Sequence, residues 1–185
     1  MFFFSSGNDT ICFSPESIEH GYAAILSGDL DSAKAVFECI DSPRSHWGIT
    51  LIGILSGCIE RLPSYFDIRN FLEIDLDFLI KNEKIHYIEM VLSSLDKLTE
   101  INQEVYKYAA RVMYENGFFK TAKDYMDKSK HIFYKDPELH YMYAKYYLKE
   151  QCCEDAYFHI CECLKIVPTY YPALQIKKQI LKYFD

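Results

Sequence analysis

Residues 103–136, QEVYKYAARVMYENGFFKTAKDYMDKSKHIFYKD, and residues 137–170, PELHYMYAKYYLKEQCCEDAYFHICECLKIVPTY, carry one pattern twice. Laid over each other they align Ala110 with Ala144, Met113 with Tyr147 and Ala122 with Ala156, each pair 34 residues apart. Small residues recurring at a fixed interval of this length, at positions where helices must touch, are the mark of a repeat array. Such arrays stack supersecondary units and leave a surface for another molecule.

The pattern extends outward on both sides. One period earlier, Arg69 to Asn102 places Leu76, Leu79, Ile88, Leu92 and Leu95 in the core slots. One period later, Tyr171 to Asp185 reads as a single amphipathic helix entered through Pro172. Leu174, Leu181 and Phe184 form its buried side, and Lys177, Lys178 and Lys182 lie elsewhere. A lone helix after the last full repeat covers an otherwise open end. Near the start, Ser14 and Pro15 suit the N-cap and first turn of a helix that ends at Gly28. A second helix follows from Asp31 to Ile40, with Ala33 and Phe37 on one face, and stops near Pro43.

Gly21, Gly28, Ala33 and Phe37 then carry a specific resemblance. A small residue, Gly-Asp seven positions on, Ala five after that and an aromatic four later is similar to the tetratricopeptide repeat (TPR). Ala110, Gly117, Ala122 and Met126 fall in the same frame, as do Ala144, Ala156, Ile160, Cys163 and Pro168. The second set lacks the aromatic, and the third has Gln151 where the inter-helix glycine belongs. The resemblance implies an all-α solenoid of antiparallel helical hairpins, a right-handed superhelix of about ten helices. The expected division is an N-terminal segment 1–13, a first repeat 14–47, an irregular joint 48–68, three repeats over 69–170 and a capping helix 171–185. The joint follows from spacing: Ala33 to Ala122 is 89 residues, not a multiple of 34, and the misfit falls around one apolar helix from His46 to Gly57. Gly53 and Gly57, four apart, would there let a neighbouring helix come close.

Composition bounds the function. The chain has 185 residues, 50% of them hydrophobic, with 16 Tyr and 13 Phe, which argues for a packed core over disorder. The net charge of −7 is unevenly spread: residues 1–100 hold 7 Lys/Arg against 16 Asp/Glu, and residues 101–185 hold 13 against 11. Wholesale nucleic-acid binding wants a strongly basic domain, which this is not. Seven scattered cysteines without a secretory pattern fit reduced thiols in a cytoplasmic protein. No apolar run approaches the roughly 20 residues of a membrane span.

Chemistry-bearing motifs are few. No phosphate-binding loop, nucleophile elbow or His-Glu-x-x-His occurs. The expectation is a protein that is not an enzyme and needs no cofactor and no metal. The cluster Cys152, Cys153, His159, Cys161 and Cys163 has zinc-ligand chemistry. On a helix His159 and Cys163 share a face, however, while Cys161 points away, and Cys163 fills a small core slot. Of the crowded tyrosines, Tyr143 and Tyr147 fall on slots facing the partner helix and Tyr141 does not.

In the resembled family, ligands lie on the concave face formed by the first helix of each repeat, at its second, fifth, ninth, twelfth and thirteenth positions. Those slots hold Glu104, Lys107, Arg111, Tyr114 and Glu115 in one repeat and Glu138, Tyr141, Lys145, Leu148 and Lys149 in the next. The capping helix adds Gln175, Gln179 and Lys182. The implied groove interleaves Lys107, Arg111, Lys145, Lys149 and Lys182 with Tyr114 and Tyr141, which suits an acidic, partly apolar peptide. Arg111 and Lys145 stand where the family's chaperone-binding members place clamp asparagines, so that clamp is not expected. Changing Lys107, Arg111 and Lys145 together to Glu would then abolish capture without unfolding the chain. The leading expectation is an interaction scaffold for a protein or peptide ligand. Alternatives are a chaperone similar to the bacterial type III secretion class II group, a helical-repeat RNA binder and a self-associating homo-oligomer.

Overall fold

The structure, a computed structural model, describes residues 17–59 and 61–182. The expected cap at Ser14 and Pro15, and the expected buried Phe184, lie outside the described residues. Within them, ten helices are the only regular elements: α1 (Ser17–Ser27), α2 (Leu30–Glu38), α3 (Pro43–Leu55), α4 (Tyr65–Lys81), α5 (Ile85–Leu98), α6 (Val105–Glu115), α7 (Phe119–Ile132), α8 (Pro137–Lys149), α9 (Cys153–Ile166) and α10 (Tyr171–Leu181). The chain divides into two compact units, Met1–Pro63 and Ser64–Asp185. None of these helices is long and apolar enough to cross a membrane.

Local chemistry starts the helices. Ser42 accepts from the Ser45 amide at 3.1 Å while Ser45 Oγ accepts from the Ser42 amide, and Pro43 sits in the first turn, so α3 begins at Pro43 instead of near His46. The same reciprocal box, Ser64 with Asp67, starts α4 at Tyr65, four residues ahead of the repeat frame. Asp136 caps α8 by accepting from the Glu138 and Leu139 amides, with Pro137 following.

The turns inside the hairpins repeat more faithfully than the side chains do. Glu83, Gly117 and Gln151, spaced by 34, all have positive φ: 56°, 85° and 61°. Each donates its amide to the carbonyl three residues back (Ile80, Tyr114, Leu148). The residue after each donates to the carbonyl five back (Leu79, Met113, Tyr147). Gly28, with φ 86°, makes the same pair of bonds between α1 and α2. These bonds satisfy the last carbonyls of each first helix and fix the reversal. A non-glycine residue in this region carries a steric cost, so Gln151→Gly and Glu83→Gly are each expected to raise stability by about 0.5–1 kcal/mol. Chemical denaturation midpoints check it; a loss of stability would mean the side chains make contacts that matter more than the backbone.

In the first unit, α1 and α2 form a hairpin and α3 packs on both. Phe37 is fully buried, and its ring lies between two glycines. A Cβ on Gly21 would come within 2.6 Å of one edge of the ring, and a Cβ on Gly48 within 2.8 Å of the other. Gly53 admits no neighbouring helix: the space over it holds the Cys58 carbonyl of the chain's own turn, and Gly57 lies beyond the helix end with φ 77°.

The second unit packs its helices in consecutive pairs, α4 with α5, α6 with α7 and α8 with α9, and α10 covers α9. Ala110, Ala122, Ala144 and Ala156 are fully buried, as the 34-residue alignment requires. Around α8–α10 the core is Ala144, Ala156, Ile160, Cys163, Ala173 and Ile180, with Tyr141, Tyr147 and Leu148 packed against it.

Candidate functional site

Two openings border the first helices α4, α6 and α8, and a third lies at the α8–α9 turn against the end of α10. The lowest is lined by Arg69, Glu73, Glu104, Lys107, Tyr108, Arg111 and Glu138. The middle one is a narrow slot between Arg111, Tyr114, Glu115, Met142 and Lys145. The last, an open cleft of about 1020 Å³, lies between the ends of α8 and α10 and is lined by Leu148, Gln151, Cys153, Gln179 and Lys182. Arg111 borders both of the first two, so Lys107 and Lys145 reach the same side.

The individual side chains differ from a simple row of cations. Lys107 is buried: its Nζ lies 2.6 Å from Asp136, 2.6 Å from Glu104 and 3.3 Å from Glu138. Its side chain is 6% exposed and that of Asp136 10%. Burial alone would lower the Lys107 pKa, but the carboxylates of Asp136 and Glu104 more than offset it and hold the ammonium above its ordinary range. Burial likewise opposes ionisation of Glu104, and hydrogen bonds from Lys107 and Tyr108 still bring its pKa below the usual value. Arg111 bridges two helices, with Nη1 2.5 Å from Glu73 on α4 and Nη2 2.5 Å from Glu138 on α8. The Glu73 carboxyl is raised by burial despite that guanidinium, with Glu138 and Glu115 adding to the shift.

Lys107 and Arg111 therefore hold first helices together, and their charges are already matched by these carboxylates. The triple change of Lys107, Arg111 and Lys145 to Glu would place acids inside this network, so it tests stability and not only capture. The sequence missed Glu73, one period before Lys107 in the same fifth slot, and Asp136, for which no local pattern exists because its partner is 29 residues away.

At the other end the cations stand over rings. Lys145 Nζ is 4.8 Å from the Tyr114 ring centroid and 6.0 Å from that of Tyr141, and Lys149 Nζ is 3.9 Å from that of Phe119. No ion pair among the described residues involves either lysine. Tyr114 Oη donates to the Lys145 carbonyl at 3.2 Å, tying α6 to α8, and Tyr141 packs on Tyr170. Gln179 and Lys182 reach the wide cleft.

The cysteine cluster does not assemble. Cys163 is buried in the α8–α10 core, where burial pushes its thiol up to about 11. His159 turns instead to His140 across the α8–α9 hairpin, Nδ1 to Nδ1 at 2.9 Å, with Tyr143 and Tyr147 stacked on its ring. Among the described residues no three metal-ligating side chains converge. Burial is the main cause lowering both imidazoles, His159 to about 4. Lys130 and Lys123 add to the effect, and Glu162, Asp136 and the Tyr134 backbone oppose it. The unfolded chain takes up these protons near pH 6.5, so stability is expected to fall as pH drops from 6.5 towards 4, by about 2–3 kcal/mol. Denaturation midpoints at pH 7, 5.5 and 4.5 should show that loss, and a His140→Phe/His159→Phe variant should lose less. An identical slope in both would assign it to carboxylates.

The backbone is similar to a chain of the APC/C hetero-tetramer Cut9–Hcn1, with a TM-score of 0.53 and 14% identity over 93% of this chain and 37% of that one. The present chain thus spans just over a third of that chain's length. It is also similar to TTC0263, a thermophilic TPR protein of Thermus thermophilus, with a TM-score of 0.45 and 14% identity over 90% of this chain and 97% of the other. No protein-family model and no curated protein matches the chain. The likeness to the Cut9–Hcn1 chain shows the fold: all-α, with hairpins in TPR-like succession.

Proposed function

We propose that this chain, whose fold is TPR-like, is a non-enzymatic interaction scaffold that binds a protein segment on the side formed by α4, α6, α8 and α10. Helical-repeat folds of this kind generally serve protein–protein interaction, and the Cut9–Hcn1 chain is itself part of a hetero-tetramer. The observation that carries the reading is the pair Lys145 and Lys149. Both are poised over aromatic rings without a carboxylate partner among the described residues, and Leu148, next to Lys149 in the chain, lines the open cleft. Tyr114, Tyr141 and Leu148 supply apolar contact, and Lys182 adds a third cation. Lys107 and Arg111 belong to the site as the frame beneath it. In this reading the divisions expected at 14–47, 48–68, 69–170 and 171–185 correspond to the α1–α2 hairpin, to α3 with the turn after it, to the three hairpins from α4 to α9 and to the capping α10. The first two boundaries move to the helix starts at Pro43 and Tyr65.

Peptides selected from a random display library against the purified chain test this. They are expected to shift NMR signals of Tyr114, Tyr141 and Leu148. A Lys145→Glu/Lys149→Glu variant should weaken binding at least about tenfold, because two attractive charges become repulsive ones, while the thermal transition stays within a few degrees. Selected peptides that bind this variant as tightly as the wild type would place the site elsewhere.

A further inference from the structure

The charges along this side are largely sorted by end, with Glu115 beside Lys145 in the middle slot as the exception. Around the lower opening, Glu73, Glu104, Asp136 and Glu138 surround Lys107 and Arg111, each of which is already shared among two or three of those acids; exposed Arg69 is the remaining cation at that opening. A guest carboxylate there would meet acids whose cations are spent, whereas a guest ammonium or guanidinium would meet carboxylate oxygens with unused acceptor positions. Towards the C-terminal ends of α8 and α10 the order reverses, and Lys145, Lys149 and Lys182 present cations over rings and at the cleft rim.

Resting on the groove reading above, we propose that the guest is a bipolar segment and not a uniformly acidic one. One Lys or Arg seats among Glu73, Glu104 and Glu138, and one Asp or Glu seats at Lys145 and Lys149. The spacing follows from α8 itself. Glu138 to Lys145 is seven residues and Glu138 to Lys149 eleven, which at the helical rise is about 10–16 Å. An extended chain covers that distance in about three to five residues. The apolar residue between the two charges then lies over Tyr114, Met142 and Tyr141. An opposite-sign arrangement at the two ends also selects against segments carrying only one sign, since either end would repel the wrong charge.

The test uses synthetic twelve-residue peptides in an uncharged background with one central Leu, titrated against the whole chain by fluorescence anisotropy. One carries Lys and Glu four positions apart, one carries them adjacent, one has Glu at both positions and one Lys at both. The four-spaced bipolar peptide is expected to bind at least about tenfold more tightly than the other three, with affinity falling as salt rises. In the Lys145→Glu/Lys149→Glu variant the preference should pass to the di-Lys peptide. If the di-Glu peptide binds the wild type as tightly as the bipolar one and the variant abolishes it, the bipolar proposal falls while the groove reading stands. If binding is indifferent to the variant, both fall. Absence of binding by the bipolar peptide at millimolar concentration overturns the proposal outright.

Discussion

Replacing Lys107 by methionine is expected to cost the 64–185 unit about 3–5 kcal/mol, the range for breaking a buried ion pair by removing one partner. Methionine fills the same space, so the loss comes from electrostatics and not from a cavity. Asp136 is left with a charge that water can barely reach, since its side chain is 10% exposed. Glu104 and Glu138 are better solvated, at 38% and 37%, and suffer less. Adding Asp136→Asn should restore at least half of the loss, because the amide oxygen can still cap α8 through the Glu138 and Leu139 amides while the unpaired charge disappears. Lys107→Glu should prevent folding of the unit. Far-UV circular dichroism in urea, with amide exchange of α6 and α8 as the local probe, measures these effects. A loss under about 1 kcal/mol for Lys107→Met would mean the cluster is wetter than its burial indicates.

The second large effect belongs to Phe37. Phe37→Ala should cost about 3–5 kcal/mol, through lost burial and a cavity that three helices cannot close. The glycines flanking its ring are the complementary test. Gly21→Ala and Gly48→Ala each push a methyl into an immovable ring edge and should cost about 1–3 kcal/mol. Combining Gly48→Ala with Phe37→Leu should cost clearly less than the two changes added together, since the smaller side chain vacates the space the methyl needs. Trp47, the single tryptophan of the chain, is fully buried in the same unit and reports its unfolding by fluorescence. Strict additivity would show that ring and glycine do not compete for one space.

Periodicity made the second unit legible before any coordinates. Ala110, Ala122, Ala144 and Ala156 are small because a facing helix leaves room for nothing larger, and that requirement is written locally at each position. The left-handed turns were only partly visible. Gly117 announces one, but Glu83 and Gln151 occupy the same conformation, because two backbone hydrogen bonds and the packed hairpin hold them there whatever the side chain. Gly48 was not legible at all as a partner of Phe37, since the contact joins different helices. The reading of Gly53 as a helix contact failed for a related reason: what fills the space over it is set by the path of the chain after α3, which no helical spacing encodes.

The sequence alone determined the hairpin order, the 34-residue period, the small-residue seams and which slots of α6 and α8 share a side, because each depends on helical geometry within a short span. Tertiary structure decided which of those slots are free. Lys107 and Lys145 look alike in the chain, yet folding brings Asp136 and Glu104 to one and aromatic rings to the other. Charges separate into spent and available only when distant residues meet, and no local pattern of residues carries that information.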